Sequence, residues 1–237
     1  MNFTQEGGGN AVLFLHGWGC DKEIWKSQRE FFAKHYKVIA VDLPGFGSSP
    51  PPQKAQGSHY YAEAVYGLLK ELEIQKAILV GHSFGGKVAL LLAAAHPESV
   101  AALTLVSSAG APKKRLKTLL KQWRYKAAKI LVKMGLLKEN VLKNSGSGDF
   151  KASKGVMRGV LCKVVKEDVT KIARRIACPT LLIWGKEDKE TPLKSGKKLC
   201  KNIKNSALVL CGKGHFPFLE NGGYFNALLW EFTKAVF

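Results

Sequence analysis

Short apolar, β-rich runs recur along the chain at residues 11–15, 37–41, 77–80, 102–106, 180–184 and 207–210. They show no period-two alternation, which is the pattern of strands buried on both faces. The intervening segments are long enough to hold helices. This alternation predicts an α/β fold, a three-layer α/β/α sandwich with a mainly parallel sheet and helices on each side. Residues 85–95 have helix-forming composition and follow the run at 77–80 across the sharp sequence Gly81-His82-Ser83, so strand, turn and helix form one unit. Apolar residues at helical spacing predict further helices over 62–72 and 224–237.

The pattern changes between residues 111 and 176. There Leu116, Leu119, Leu120, Trp123, Ala127, Ile130, Leu131 and Met134 recur at three- and four-residue spacing, which predicts an amphipathic helix. A glycine- and serine-rich break at 144–149 separates it from more helical sequence at 152–165. Composition sharpens the division. The chain carries 37 Lys+Arg against 18 Asp+Glu, a net charge of +19, and residues 111–176 hold 19 of those cations against four acids, a net of +15. The expected organisation is a core in two parts, 1–110 and 177–237, with a basic helical cap inserted at 111–176.

With 46% hydrophobic residues among 237, the chain has enough apolar surface for a full core. Its longest apolar run, Val88 to Ala95, is far short of the roughly 20 residues that cross a bilayer, so no transmembrane segment is expected. The first ten residues lack a basic region and a long apolar stretch, so a cytoplasmic location is expected. The five cysteines, Cys20, Cys162, Cys178, Cys200 and Cys211, never fall as C-x-x-C. They read as reduced, mostly buried small hydrophobes, with no disulfide framework and no metal site. No G-K-[ST] follows either glycine-rich stretch, so no nucleotide cofactor is implied and none of any kind is expected. The basic cap leaves open an anionic or carrier-linked substrate, steered by Lys113, Lys114 and Arg115, or an acidic surface, or no partner at all. Specific nucleic-acid binding is not expected, because no RNA-binding motif or helix-turn-helix is present, and no partner protein is implied.

The sharpest chemical signal is Gly81-His82-Ser83-Phe84-Gly85-Gly86, a G-x-S-x-G sequence between a strand and a helix. A tight turn there lifts the Ser83 hydroxyl clear of the backbone, and the glycines leave room for close approach. A serine nucleophile needs a base. His215, in the glycine-rich loop Gly212-Lys213-Gly214-His215-Phe216-Pro217 after the last strand, is the candidate; His16, His35, His59, His82 and His96 compete less well. A carboxylate must orient that imidazole. Asp188, just past the strand at 180–184, is favoured, with adjacent Glu187 as the alternative. Backbone N–H groups of Trp18, in His16-Gly17-Trp18-Gly19, and of Phe84 would hold an oxyanion. Trp18, Phe84, Trp123, Met134, Met157, Leu161 and Phe216 are candidate walls for a substrate.

Together these motifs, with Asp42-Leu43-Pro44-Gly45-Phe46-Gly47-Ser48-Ser49 and Leu182-Ile183-Trp184-Gly185-Lys186-Glu187-Asp188, resemble the serine hydrolases of the α/β-hydrolase fold superfamily, in which Ser, Asp and His follow in that order. Serine at position 83 sets the chain apart from the haloalkane dehalogenases and epoxide hydrolases of that superfamily, which use aspartate. The resemblance implies a small-molecule ester hydrolase for small or medium acyl groups, working through an acyl-enzyme. Thioesterase, C–C hydrolase, peptidase and acyltransferase chemistry on the same residues stay open, as does a binding protein on a hydrolase scaffold. The cap resembles the lids of small carboxylesterases. Many relatives carry two strands before the first run, so here the sheet either lacks one or uses Phe3 to Gln5 as a minimal edge.

Overall fold

The computed structural model describes residues 1–110 and 148–237, together with Val132 and Met134. Its single sheet holds β1 (Phe3–Glu6), β2 (Ala11–Leu15), β3 (Lys37–Val41), β4 (Ala77–His82), β5 (Val100–Val106), β6 (Thr180–Trp184) and β7 (Ser206–Leu210). Their order is β1-β3-β2-β4-β5-β6-β7. All pairings are parallel except β1 with β3, which is antiparallel. The mainly parallel α/β sandwich expected from the runs is therefore the observed fold. Residues 3–6 do supply an edge strand, and among the described residues the sheet has seven strands.

The missing alternation has a direct explanation. In β2, Leu13 and Leu15 enter one core while Val12 and Phe14 enter another; β3 and β4 divide the same way. Period two persists in the geometry, but both faces are apolar, so it leaves no trace in the sequence. One face is covered by α1 (Lys26–Phe32) and, from the chain end, by a helix over Gly222–Lys234. The other carries α2 (Ser58–Glu71) and α3 (Ser83–Ala95). The later helices are α4 (Gly148–Ala152), α5 (Gly155–Val164), α6 (Leu193–Asn202), α7 (Pro217–Glu220) and α8, the Gly222–Lys234 helix.

α3 is buried from Phe84 through Ala94, and that includes Lys87. An ammonium so placed needs partners. Its Nζ donates to the carbonyl of Val164 at 2.6 Å, at the C-terminal end of α5, and to that of Glu167 at 3.4 Å. The Glu167 carboxylate lies 4.0 Å away and accepts the N–H of Ser58 at the start of α2. Burial pushes the Lys87 pKa down, with Glu167 and Asp168 opposing. One cation thus ties three helices together.

The N–H of Val169 donates to the Gly110 carbonyl at 2.9 Å. The amphipathic helix expected from 116 to 134, with Trp123, and the basic trio Lys113, Lys114 and Arg115 lie outside the described residues. The helical sequence expected at 152–165 is split. α4 starts at Gly148, inside the expected break, and ends at Ala152, while α5 begins at Gly155 with φ of +51°, a backbone angle that glycine adopts freely. The cysteines also differ from expectation: all five are free, but only Cys211 is buried and the other four are half-buried. Among the described residues no helix is long and apolar enough to cross a membrane.

Phe14 is fully buried at the sheet centre, 5.2 Å from the Trp25 ring and 6.2 Å from that of Phe32. Phe14→Ala is expected to lower unfolding free energy by about 3–5 kcal/mol, read by urea or thermal unfolding.

Candidate active site

Because β2, β4, β5, β6 and β7 are parallel and paired in register, their carboxyl ends lie along one edge of the sheet. Loops leaving that edge are neighbours, and in open α/β sheets ligands bind there. Each candidate residue sits on one of them: Trp18 after β2, Ser83 after β4, Asp188 after β6 and His215 after β7.

Ser83 has φ of +50°, a left-handed backbone at a residue with a Cβ. Such strain persists only where surrounding structure enforces it, and here the glycines do so. A Cβ on Gly81 would strike the backbone of Gly85 and Gly86, and one on Gly85 would strike the carbonyls of Leu15 and His16. The first turn of α3 therefore lies directly on the end of β2. The loop beyond β2 is drawn in with it, since a Cβ on Gly17 would be 2.7 Å from His82 Nδ1 and 3.2 Å from Ser83 Cβ. Trp18 follows, its ring edge-on to Phe46 at 4.9 Å and to Phe84 at 5.5 Å.

Asp188 is buried, whereas Glu187 is exposed. Asp188 Oδ1 accepts the N–H groups of Glu190 and Thr191, each at 2.8 Å, and Oδ2 lies 2.8 Å from His215 Nδ1. Burial alone would raise this carboxyl, but hydrogen bonds from His215 and Thr191 hold it down to about 2. An ionised carboxylate only accepts, so the proton between the two lies on His215 Nδ1. The two loops are locked together. Glu187 N–H donates to the Lys213 carbonyl at 2.7 Å, and Gly185 has no room for a Cβ against Gly214. Glu220 accepts the N–H of Lys213 and of Gly214 at 2.7 and 2.9 Å, fixing the turn before His215.

His82 joins this loop to the Ser83 turn. Its Nε2–H donates to the carbonyl of His215 at 2.9 Å, and its ring lies 4.8 Å from Phe216 and 5.2 Å from Phe218. Burial, aided by His215, lowers its pKa to about 3, so it is a neutral structural donor. His16 is neutral as well: Nδ1–H donates to the Gly17 carbonyl at 2.7 Å, Nε2 accepts the Leu43 N–H at 3.0 Å, and burial lowers its pKa. His96 stacks on Tyr66 at the far end of α3, His35 lies against Trp230, and His59 is exposed on α2. Asp42 holds the preceding loop, accepting from Lys22 Nζ at 2.8 Å and Ser48 N–H at 2.9 Å.

A family model described as alpha/beta hydrolase fold matches residues 10–141. The chain belongs to the α/β-hydrolase fold family. It is an enzyme of the hydrolase class. An uncharacterized hydrolase of Bacillus subtilis (strain 168) is 29% identical over 97% of the chain and 92% of its own length. The 2-hydroxymuconate semialdehyde hydrolase of Pseudomonas sp. (strain CF600) is 29% identical over 98% and 89%. Among solved structures, a thermophilic esterase from Thermogutta terrifontis superposes with a TM-score of 0.77 at 25% identity, covering 99% of the chain and 93% of the esterase.

The expected substrate walls fare differently. Phe84 and Phe216 lie at the site, as does Trp18. Met157 lies on Gly45, where its Sδ fills the space a Cβ would take, and Leu161 is buried in α5. Met134 is 66% exposed and walls nothing among the described residues; Trp123 is outside them. An open groove of about 490 Å³ between the loop around Pro50 and α2 contains none of the candidate residues. Missed by sequence reasoning is Thr191, whose hydroxyl meets Asp188 Oδ2 at 2.7 Å; no motif marks it.

The depressed carboxyl of Asp188 has a stability consequence. Its contribution is complete above the unfolded value near 3.9 and is lost as pH falls through about 2. The stability difference between the native protein and Asp188→Asn is expected to shrink by about 2 kcal/mol between pH 5 and pH 2, measured by urea unfolding across that range.

Proposed function

We propose that the chain is a cofactor-independent carboxylic ester hydrolase for small or medium acyl groups. The observation that carries this reading is Ser83, held at φ of +50° between β4 and α3, on the same sheet edge as a histidine whose Nδ1–H is bound by a buried carboxylate 2.8 Å away. A hydroxyl is a weak nucleophile at neutral pH, and His215 Nε2, its tautomer fixed by Asp188, is the base that activates it. Ser83 attacks the ester carbonyl, and His215 returns the proton to the departing alcohol. Water, activated by the same imidazole, then frees the acid from the acyl-enzyme.

Charge developing on the carbonyl oxygen needs preorganised donors. The Phe84 N–H, in the first turn of α3, and the Trp18 N–H, in the loop drawn against Ser83, take this role. Trp18, Phe84 and Phe216 wall the acyl side. Residues 111–176 act as the cap that selects the substrate. C–C bond hydrolysis on the same residues is the second reading, favoured by the similarity to the Pseudomonas semialdehyde hydrolase.

The test is labelling by a fluorophosphonate together with turnover of p-nitrophenyl esters of graded chain length and of 2-hydroxymuconate semialdehyde. The native protein is expected to label and to prefer short or medium esters, while Ser83→Ala neither labels nor retains more than about a thousandth of kcat. Faster turnover of the semialdehyde would move the assignment to C–C hydrolysis, and an unlabelled, inactive native protein would overturn both.

A further inference from the structure

The acid–base pair has a third member. Thr191 Oγ1 lies 2.7 Å from Asp188 Oδ2, 2.9 Å from the carbonyl of Ser107 and 3.3 Å from His215 Nδ1. Its hydroxyl has a single proton, while the carboxylate and the carbonyl can only accept. At any instant one of the two is served and the other is not.

Each acceptor is built to be there. Asp188 has its other oxygen filled by two backbone N–H groups and shares Oδ2 between His215 and Thr191. Ser107, the residue after β5, adopts φ of +42° although it is not glycine. Its N–H is fixed to the Ile183 carbonyl at 2.9 Å, and the left-handed turn aims its own carbonyl at Thr191. A strained residue at a site is a reason to ask what the strain holds in place.

We propose that Thr191 is a positioning residue for His215, its hydroxyl a rotor that passes one hydrogen bond between Asp188 Oδ2 and the Ser107 carbonyl; this rests on the ester-hydrolase reading above. No covalent bond changes. When His215 is neutral, the hydroxyl donates to Oδ2 and shares the carboxylate with Nδ1–H. When His215 has taken the serine proton, the hydroxyl turns to Ser107 and leaves the whole negative charge of that oxygen facing the imidazolium. The strength of the carboxylate as a partner then follows the proton through the cycle, and the imidazole ring keeps its orientation in both states.

The test uses Thr191→Val, which keeps the methyl packing and removes the proton, beside Thr191→Ser, which keeps the hydroxyl. Thr191→Val is expected to lose about tenfold to a hundredfold in kcat, the scale of one hydrogen bond to a charged group, with KM within about twofold, while Thr191→Ser stays within about threefold of the native kcat. Proton NMR gives a readout that does not need turnover: the low-field Nδ1–H resonance of His215 should move in Thr191→Val and stay in place in Thr191→Ser. Native kcat in Thr191→Val, equal loss in both variants, or an unmoved resonance would overturn the rotor. A native protein that turns over no ester defeats the functional reading instead, and the resonance still decides the positioning role.

Discussion

The site depends on how closely one helix turn can approach one strand end. The backbone at Gly85 lies against the carbonyls of Leu15 and His16 with no space for a side chain, so the position of Ser83 is set by main-chain contact rather than by adjustable side-chain packing. That contact also fixes the loop beyond β2, because Gly17 is seated against His82 and Ser83. A rigid scaffold is what catalytic groups require, since misplacement by an ångström is expensive in rate. The wholly buried α3 provides it, and Lys87 extends the restraint to α2 and α5 through Val164 and Glu167.

Three histidines gather at this edge, and environment sorts them. His16 and His82 are each hydrogen-bonded to backbone and kept neutral by burial. His215 alone of the three has a carboxylate on Nδ1. Residue type does not distinguish them; solvation and one charge do. His82 gains a second use from its neutrality, since its fixed Nε2–H can hold the His215 carbonyl without adding a cation beside the imidazole.

What could be read from the sequence is what local patterning encodes. The apolar runs, the glycines around Ser83 and the acidic and histidine-bearing loops after β6 and β7 are each legible within about ten residues. Thr191 was not, because its meaning comes from Ser107, which is 84 positions away. Likewise Lys87 sits within a largely apolar helix, and its partners Val164 and Glu167 lie about 80 positions further along the chain. The edge strand at Phe3–Glu6 is polar at three of its four positions, and its pairing with β3 identifies it.

The sheet ends on one side at β7, which pairs with β6 and with no further strand among the described residues. An unpaired parallel edge is a template on which a second chain can add, the step that starts fibrillar association. Here the edge is only five residues long, with Leu210 exposed at its end. Exposed Lys201 and Lys204 stand just before it, and the chain as a whole carries a net charge of +19. Two such edges approaching one another would bring like charges together, so repulsion between copies opposes the zippering that the open backbone invites. The lysine-rich composition thereby acts as a colloidal safeguard, one that weakens as salt or polyanions screen it.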